Sequence, residues 1–239
     1  MNVTVPASAQ PEFDQFARNY DAALQQGLSV SGESKEYFAV GRVNFLKKCL
    51  AKLNFRPTFI LDYGCGTGTS VPLLHAISGV EEITGIDLSA ESIEIARQQW
   101  GQEQRRFATL ADYQPEQKCD LVFCNGVFHH IPLDQREGAV KTVIDALKPG
   151  GVFAYWENNP WNPATRYVMS RIPFDKDAIT LTPPESRSML QRGGFEILRT
   201  DFLFIFPKML KWFRPVEQWV SSWPVGTQYQ VLCRKPLSQ

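Results

Sequence analysis

From Thr58 onward, short apolar runs alternate with amphipathic stretches of helical period. The runs fall at 58–63 (TFILDY), 81–87 (EEITGID), 105–110 (RRFATL), 119–125 (CDLVFCN) and 151–157 (GVFAYWE). Each is short and rich in β-branched and aromatic side chains, as a buried strand is. Between them, helices are expected over 70–77, 90–99 and 133–147. Ser89 takes the N-cap position of the second, and Lys148-Pro149-Gly150-Gly151 closes the third. Such alternation implies an α/β, Rossmann-like sheet, mostly parallel, with helices on both faces. Further on the rhythm changes: a helix over 185–192, a strand over 195–206, an insertion over 207–225 and a strand over 227–235. These read as a final strand pair that brings the sheet to seven, with the last strand antiparallel.

Upstream, residues 1–11 are small, polar and bounded by proline, as in a loose tail. Phe13, Phe16, Tyr20 and Leu24 recur at helical spacing until Gly27. A second helical pattern carries Tyr37, Phe38, Val40, Val43, Leu46, Leu50 and Leu53.

Composition narrows the function. Twenty-five Lys plus Arg balance twenty-five Asp plus Glu in 239 residues, for a formal net charge of zero. A chain that grips a phosphate backbone shows a basic excess, so no nucleic-acid partner is expected. The five cysteines (49, 65, 119, 124 and 233) have no metal spacing and an odd count, which points to reduced thiols and a cytoplasmic setting. The start MNVTVPASAQ has neither a basic opening nor an apolar run, so no secretory leader is expected. The densest apolar run, FLFIF at 202–206, is too short to span a bilayer.

The informative motif is ILDYGCGTGTS, Ile60 to Ser70, a strand running into Gly64-Cys65-Gly66-Thr67-Gly68 and then a helix. Glycines there let backbone amides approach a ligand at a helix N-terminus. The spacing is G-x-G-x-G rather than the dinucleotide G-x-G-x-x-G. Asp62, two residues before the first glycine, would repel a pyrophosphate but suits an ammonium group. Asp87 closes the next strand, where a carboxylate can take both hydroxyls of a ribose. An amino acid joined to a nucleoside without phosphate meets all three conditions, and S-adenosylmethionine is that molecule.

With these landmarks in order, the sequence resembles the class I S-adenosylmethionine-dependent methyltransferases, by motif from about Phe13 to Glu157. The resemblance implies that Asp62, Gly64, Cys65, Gly66 and Gly68 hold the methionine part, Asp87 the ribose, and Leu88 the adenine face. An acid after the third strand commonly takes the adenine amine; here Ala111 stands at that place and Asp112 one residue later. CNGVFHHIP after the fourth strand matches a family pattern that puts Asn125 and Gly126 beside the sulfonium, and LKPGG is a further landmark. FDQFARNYDAAL resembles the lead-in of small-molecule methyltransferases of the menaquinone and ubiquinone biosynthesis type. That implies a cover for the methionine end from Tyr20 and a carboxylate partner in Arg42. The alternative for these two is a packed aromatic and a solvated cation. On this reading, residues 1–56 are N-terminal helices covering the cofactor site. Residues 57–239 are the methyltransferase core, with insertions at about 158–184 and 207–225.

Methyl transfer is an in-line displacement, so the protein must chiefly position the acceptor and exclude water. A hydroxyl acceptor gains from a base, whereas a carboxylate or thiolate needs little help. The resemblance makes His129 the candidate base, with His130 a structural neighbour, and the expected acceptor atom is an oxygen of a small molecule. No H-x-H, D-x-D or D-x-N cluster follows the fourth or fifth strand, so no metal is expected. The prolines of a base-amine signature are missing after the fourth strand, and NNPWNP lies one strand later. That position makes Glu157, Asn158, Trp161 and Arg166 candidate acceptor contacts, or else a rigid loop with Trp161 packed on the core. In 207–225, Met209, Leu210, Trp212, Phe213, Val216, Trp219, Val220 and Trp223 form either a lid on the sheet edge or an interfacial surface making weak membrane contact. A cofactor-binding scaffold without catalysis and a nicotinamide-dependent oxidoreductase are the alternative functions; Asp62 and the glycine spacing disfavour the latter.

Overall fold

The computed structural model describes residues 32–172, 175 and 178–237, apart from the Gln218 side chain. Each short apolar run becomes a strand of one sheet: β1 (Phe59–Tyr63), β2 (Glu82–Asp87), β3 (Arg105–Thr109), β4 (Cys119–Asn125), β5 (Leu147–Asn158), β6 (Glu196–Leu203) and β7 (Gln228–Arg234). Their order across the sheet is β3-β2-β1-β4-β5-β7-β6. The first five run parallel. β7 slots between β5 and β6 and is antiparallel to both, as the sequence led one to expect for the last strand.

The helices are α1 (Lys35–Lys52), α2 (Val71–His75), α3 (Ala90–Trp100), α4 (Arg136–Ala146), α5 (Pro163–Met169), α6 (Pro183–Arg192) and α7 (Glu217–Val220). Ser89 caps α3 as expected, its side chain accepting from the Ser92 N–H. Side-chain alternation sorts the central strands into two cores. Phe153 and Tyr155 of β5 join Val140, Val143 and Leu190 on one face. Val152, Ala154 and Trp156 join Val43, Leu46 and Leu74 on the other.

Two expectations need correction. The third core helix ends at Ala146, and Leu147 already pairs with Cys119. The ladder resumes at Leu121 opposite Val152, so Lys148-Pro149-Gly150-Gly151 bulges out within β5 instead of preceding it. In α1 the buried stripe is Ala39, Arg42, Val43, Leu46, Cys49 and Leu50, while Val40 stands 41% exposed. A charged side chain thus takes a core-facing place that the apolar pattern gave to valine. The lead-in helix with Phe13, Phe16, Tyr20 and Leu24 lies outside the described residues.

Candidate functional site

Parallel pairing lines up the carboxyl ends of the strands. Tyr63 sits opposite Ile86 and Cys124, Asp87 opposite Thr109, and Asn125 opposite Trp156. The crevice between β1 and β4 is where strand order reverses, the place open α/β sheets bind ligands. The glycine loop is tied to its neighbour strand. The Gly64 and Cys65 N–H groups donate to the Ile86 carbonyl at 2.8 and 2.9 Å. Asp87 accepts from the Gly66 N–H at 2.8 Å and from the Ser89 N–H at 2.9 Å, bracing both the loop and the start of α3. Gly64 has φ +73°, and a Cβ there would come within 2.3 Å of Val127 Cγ2. Gly66 has φ +53°, but nothing lies within 4 Å of where its Cβ would be. The first glycine lets the chain turn tightly; the second leaves an open cradle.

Asp62 is the chemical anomaly of this edge. It is 2% exposed, and its Oδ2 has no hydrogen-bond partner. Burial pushes its pKa up to about 7, the Asp87 charge adds to the rise, and Arg42 opposes it. An orphaned buried carboxylate is costly unless a cation meets it. The Asn125 Oδ1, at the end of the neighbouring strand, is also buried without a partner. An ammonium and a polar donor would satisfy both atoms, whereas a pyrophosphate would not. Arg42 Nη1 donates to Gln228 Oε1 at 2.9 Å, and Gln228 Nε2 donates to Asn158 Oδ1 at 3.2 Å. A polar bridge therefore links α1, β7 and the end of β5; Gln228 carried no motif that would have revealed it. The Cys65 thiol is buried and pushed well up by desolvation, so it stays protonated. Leu88 is half-buried beside Asp87. Ala111 and Asp112 are exposed; Asp112 Oδ2 accepts from the Thr109 hydroxyl at 2.6 Å, and the residue lines a recess of ≈ 460 Å³ with Phe59, Glu82 and Arg106.

His129 lies in a 3₁₀ turn, Phe128–His130, just past Gly126. Its Cε1 is 3.6 Å from the point a Cβ would occupy on Gly126. The ring is 3% exposed. Nδ1 is 2.5 Å from Glu157 Oε2, while Glu157 Oε1 accepts from the Phe128 N–H at 2.8 Å. On the other side, His129 Nε2 and His130 Nε2 lie 3.6 and 3.4 Å from Asp175 Oδ1. Burial alone would lower the His129 pKa; the Glu157 carboxylate, aided by Asp175, reverses this and pushes it up to about 10. In this arrangement His129 holds its proton at neutral pH, the opposite of what a general base needs. Glu157, expected in the acceptor wall, is 2% exposed and spent on His129 and the turn. No local spacing announces the set, but the fold brings His129, His130 and Asp175 together.

Comparison with known proteins bears on this edge directly. A family model described as a methyltransferase domain matches residues 60–151, from the start of the Asp62 strand through the bulge in β5. Trans-aconitate 2-methyltransferase of Escherichia coli O1:K1 is 32% identical over 142 residues, covering 59% of this chain and 56% of that protein. Its counterpart in Shigella dysenteriae serotype 1 is 31% identical over the same length and shares. The chain carries a methyltransferase domain over residues 60–151. It spans about half the length of the curated relatives it matches. Among solved structures, an S-adenosylmethionine-dependent methyltransferase from Thermotoga maritima superposes with TM-score 0.68 at 21% identity, covering 93% of this chain and 98% of that one. A TehB-like methyltransferase from Corynebacterium glutamicum gives 0.58 at 19%, with the same coverage. At these identities the likeness is one of fold.

The methyltransferase domain is flanked by the two segments that the sequence left open. After β5, Asn159 is fully buried and donates to the Pro224 and Gly226 carbonyls at 3.2 and 2.8 Å. Asn162 caps α5 through the Ala164 and Thr165 N–H groups and donates to the Val225 carbonyl at 2.7 Å. The two Asn-Pro steps are thus a clamp onto 224–226. Trp161 is 50% exposed rather than packed on the core, and Arg166 is exposed as well. In 207–225, Lys208–Val216 forms 3₁₀ turns with no buried residue. Met209, Trp212, Trp219 and Trp223 are each more than three-fifths exposed, so this segment presents its apolar side chains outward. No helix among the described residues is long and apolar enough to cross a membrane.

Proposed function

We propose that the chain transfers a methyl group from S-adenosylmethionine to a carboxylate oxygen of a small organic acid. The observation that carries the cofactor half is the orphaned, buried Asp62 Oδ2 beside the open cradle at Gly66. Asp62 would hold the ammonium of the methionine part, with Arg42 across from it for the carboxylate. Gly64, Cys65, Gly66 and Gly68 would admit the main chain of the ligand, and Asp87 with Leu88 would hold the nucleoside. Asn125 and Gly126 would lie next to the sulfonium, which supplies an electrophilic methyl group when the cofactor is bound. Ala111 and Asp112 are the proposed adenine contacts; the Thr109 hydroxyl engages Oδ2 of Asp112, and its other oxygen would accept from the amine.

The oxygen half rests on His129 and on the relatives. A hydroxyl acceptor would call for a base, but His129 is set to keep its proton. A carboxylate is already a nucleophile at neutral pH and needs only to be positioned and desolvated. The relatives' printed name, trans-aconitate 2-methyltransferase, gives a carboxylic acid as their acceptor. Trp161, Asn158 and Arg166 would form the acceptor wall, with a cationic side chain suited to a polyacid.

The test is turnover with a panel of di- and tricarboxylic acids, phenols and amines, read by release of S-adenosylhomocysteine and by mass and base-lability of the product. Methyl esters of the acids support the reading. A product methylated on nitrogen, carbon or sulfur, or turnover confined to phenols, overturns it.

A further inference from the structure

We propose that His129, His130 and Asp175 form a binding site for a divalent transition-metal cation of the zinc class. Their three ligand atoms lie within 4.8 Å of one another. The distances from Asp175 Oδ1, 3.6 Å to His129 Nε2 and 3.4 Å to His130 Nε2, are longer than an ordinary N–H···O bond of about 2.7–3.2 Å. They are close to the edge, about 3.3–3.4 Å, of a tetrahedron whose centre is about 2.0–2.1 Å from each ligand. Two imidazoles and one carboxylate suit zinc, iron, nickel or copper rather than magnesium or calcium. Three protein ligands leave a fourth position for water or an acidic oxygen.

The surroundings fix these ligands in place. Glu157 Oε2 sits on His129 Nδ1 at 2.5 Å, which leaves Nε2 facing Asp175. An outer carboxylate of this kind orients metal-bound histidines generally. Asp175 is held by its own N–H to the Ile172 carbonyl, and the Ile179 N–H donates to the His129 carbonyl. Arg136 ties the two segments together by donating to the Ile131 carbonyl at 2.9 Å and the Ile179 carbonyl at 2.7 Å. His129 and Asp175 are buried, while the His130 side chain is 16% exposed and marks the way in. Loop contacts, not local spacing, assemble the set.

A cation held by His129 Nε2 displaces the proton from that nitrogen and leaves the Nδ1 proton to Glu157, so loading the site releases a proton. The site is tested on the chelator-treated, tag-free protein by titration with Co²⁺ alone, read by visible d–d absorption, followed by displacement with Zn²⁺ and metal analysis after desalting. S-adenosylhomocysteine binding is measured on the same samples, so that loss of the cofactor reading would be seen separately. The expected result is one equivalent of Co²⁺ in a four- or five-coordinate site, weakened at least tenfold in Asp175→Asn and in His130→Ala. Circular dichroism shows whether each variant is folded, and a folded Asp175→Asn is sufficient on its own. Failure of the wild-type protein to bind Co²⁺ stoichiometrically overturns the site and leaves a closed ion-pair network. Equal binding by folded Asp175→Asn and wild type overturns it too.

Discussion

Glu157 Oε2 lies 2.5 Å from His129 Nδ1, and both side chains are withdrawn from water. The pair joins the end of β5 to the turn after β4, which begins two residues past Gly126. Removing one partner of a buried charged pair strands the other and costs about 3–5 kcal/mol. Glu157→Ala also deprives the Phe128 N–H of its acceptor. It should lower the melting temperature by roughly 10 °C in a domain of this size. Glu157→Gln, which keeps an acceptor for that N–H, should lose less. Equal melting of Glu157→Ala and wild type would show that the pair is not formed.

Asp62 makes cofactor binding depend on pH in a fixed direction. Its folded pKa is raised to about 7, from an ordinary value near 4. Its contribution to stability without ligand is therefore present below the unfolded value and is lost as pH rises through about 7. The ligand ammonium needs the ionised form, so affinity for S-adenosylhomocysteine should rise roughly tenfold from pH 6 to pH 8, as the ionised fraction does. Calorimetric titration at several pH values reads this. A pH-independent affinity for wild type, or the same slope in Asp62→Asn, would remove Asp62 from the role.

The Asn-Pro clamp separates stability from specificity. Asn159→Ala leaves the buried Gly226 carbonyl without its donor and frees the Pro224 carbonyl, and should cost about 1–3 kcal/mol. Trp161→Ala, at an exposed position, should leave the melting temperature within about two degrees while raising KM for the acceptor. Thermal unfolding of the two variants checks the first part and steady-state kinetics the second. A large loss of stability in Trp161→Ala would return that side chain to a packing role.

The strands were legible because a parallel sheet buried on both faces shows up as short continuous apolar runs, and the loop glycines, Asp62 and Asp87 announce themselves by position. Less could be read where one side chain's role depends on distant segments. Arg42 lies on the core face, where Gln228, from the far end of the chain, accepts from its Nη1. Glu157 looked like a wall residue because it closes a strand, yet the turn after β4 claims both of its oxygens. Asp175 lies in a stretch with no motif and reaches His129 and His130 only by tertiary docking. In 207–225 the apolar spacing left a lid and an interfacial surface both open; the segment forms 3₁₀ turns, broken at Leu210, whose apolar side chains face outward. Tyr20 lies outside the described residues.

The central claim is that Asp62 and the Gly66 cradle receive S-adenosylmethionine, and calorimetric titration of the whole chain with S-adenosylhomocysteine tests it most directly. One binding site per chain is predicted, lost or weakened at least tenfold in Gly66→Ala. That variant should keep its fold, because a Cβ there meets no other atom and adds only the strain of φ +53°. No binding by the wild-type protein, or preference for NADH over S-adenosylhomocysteine, would contradict the account.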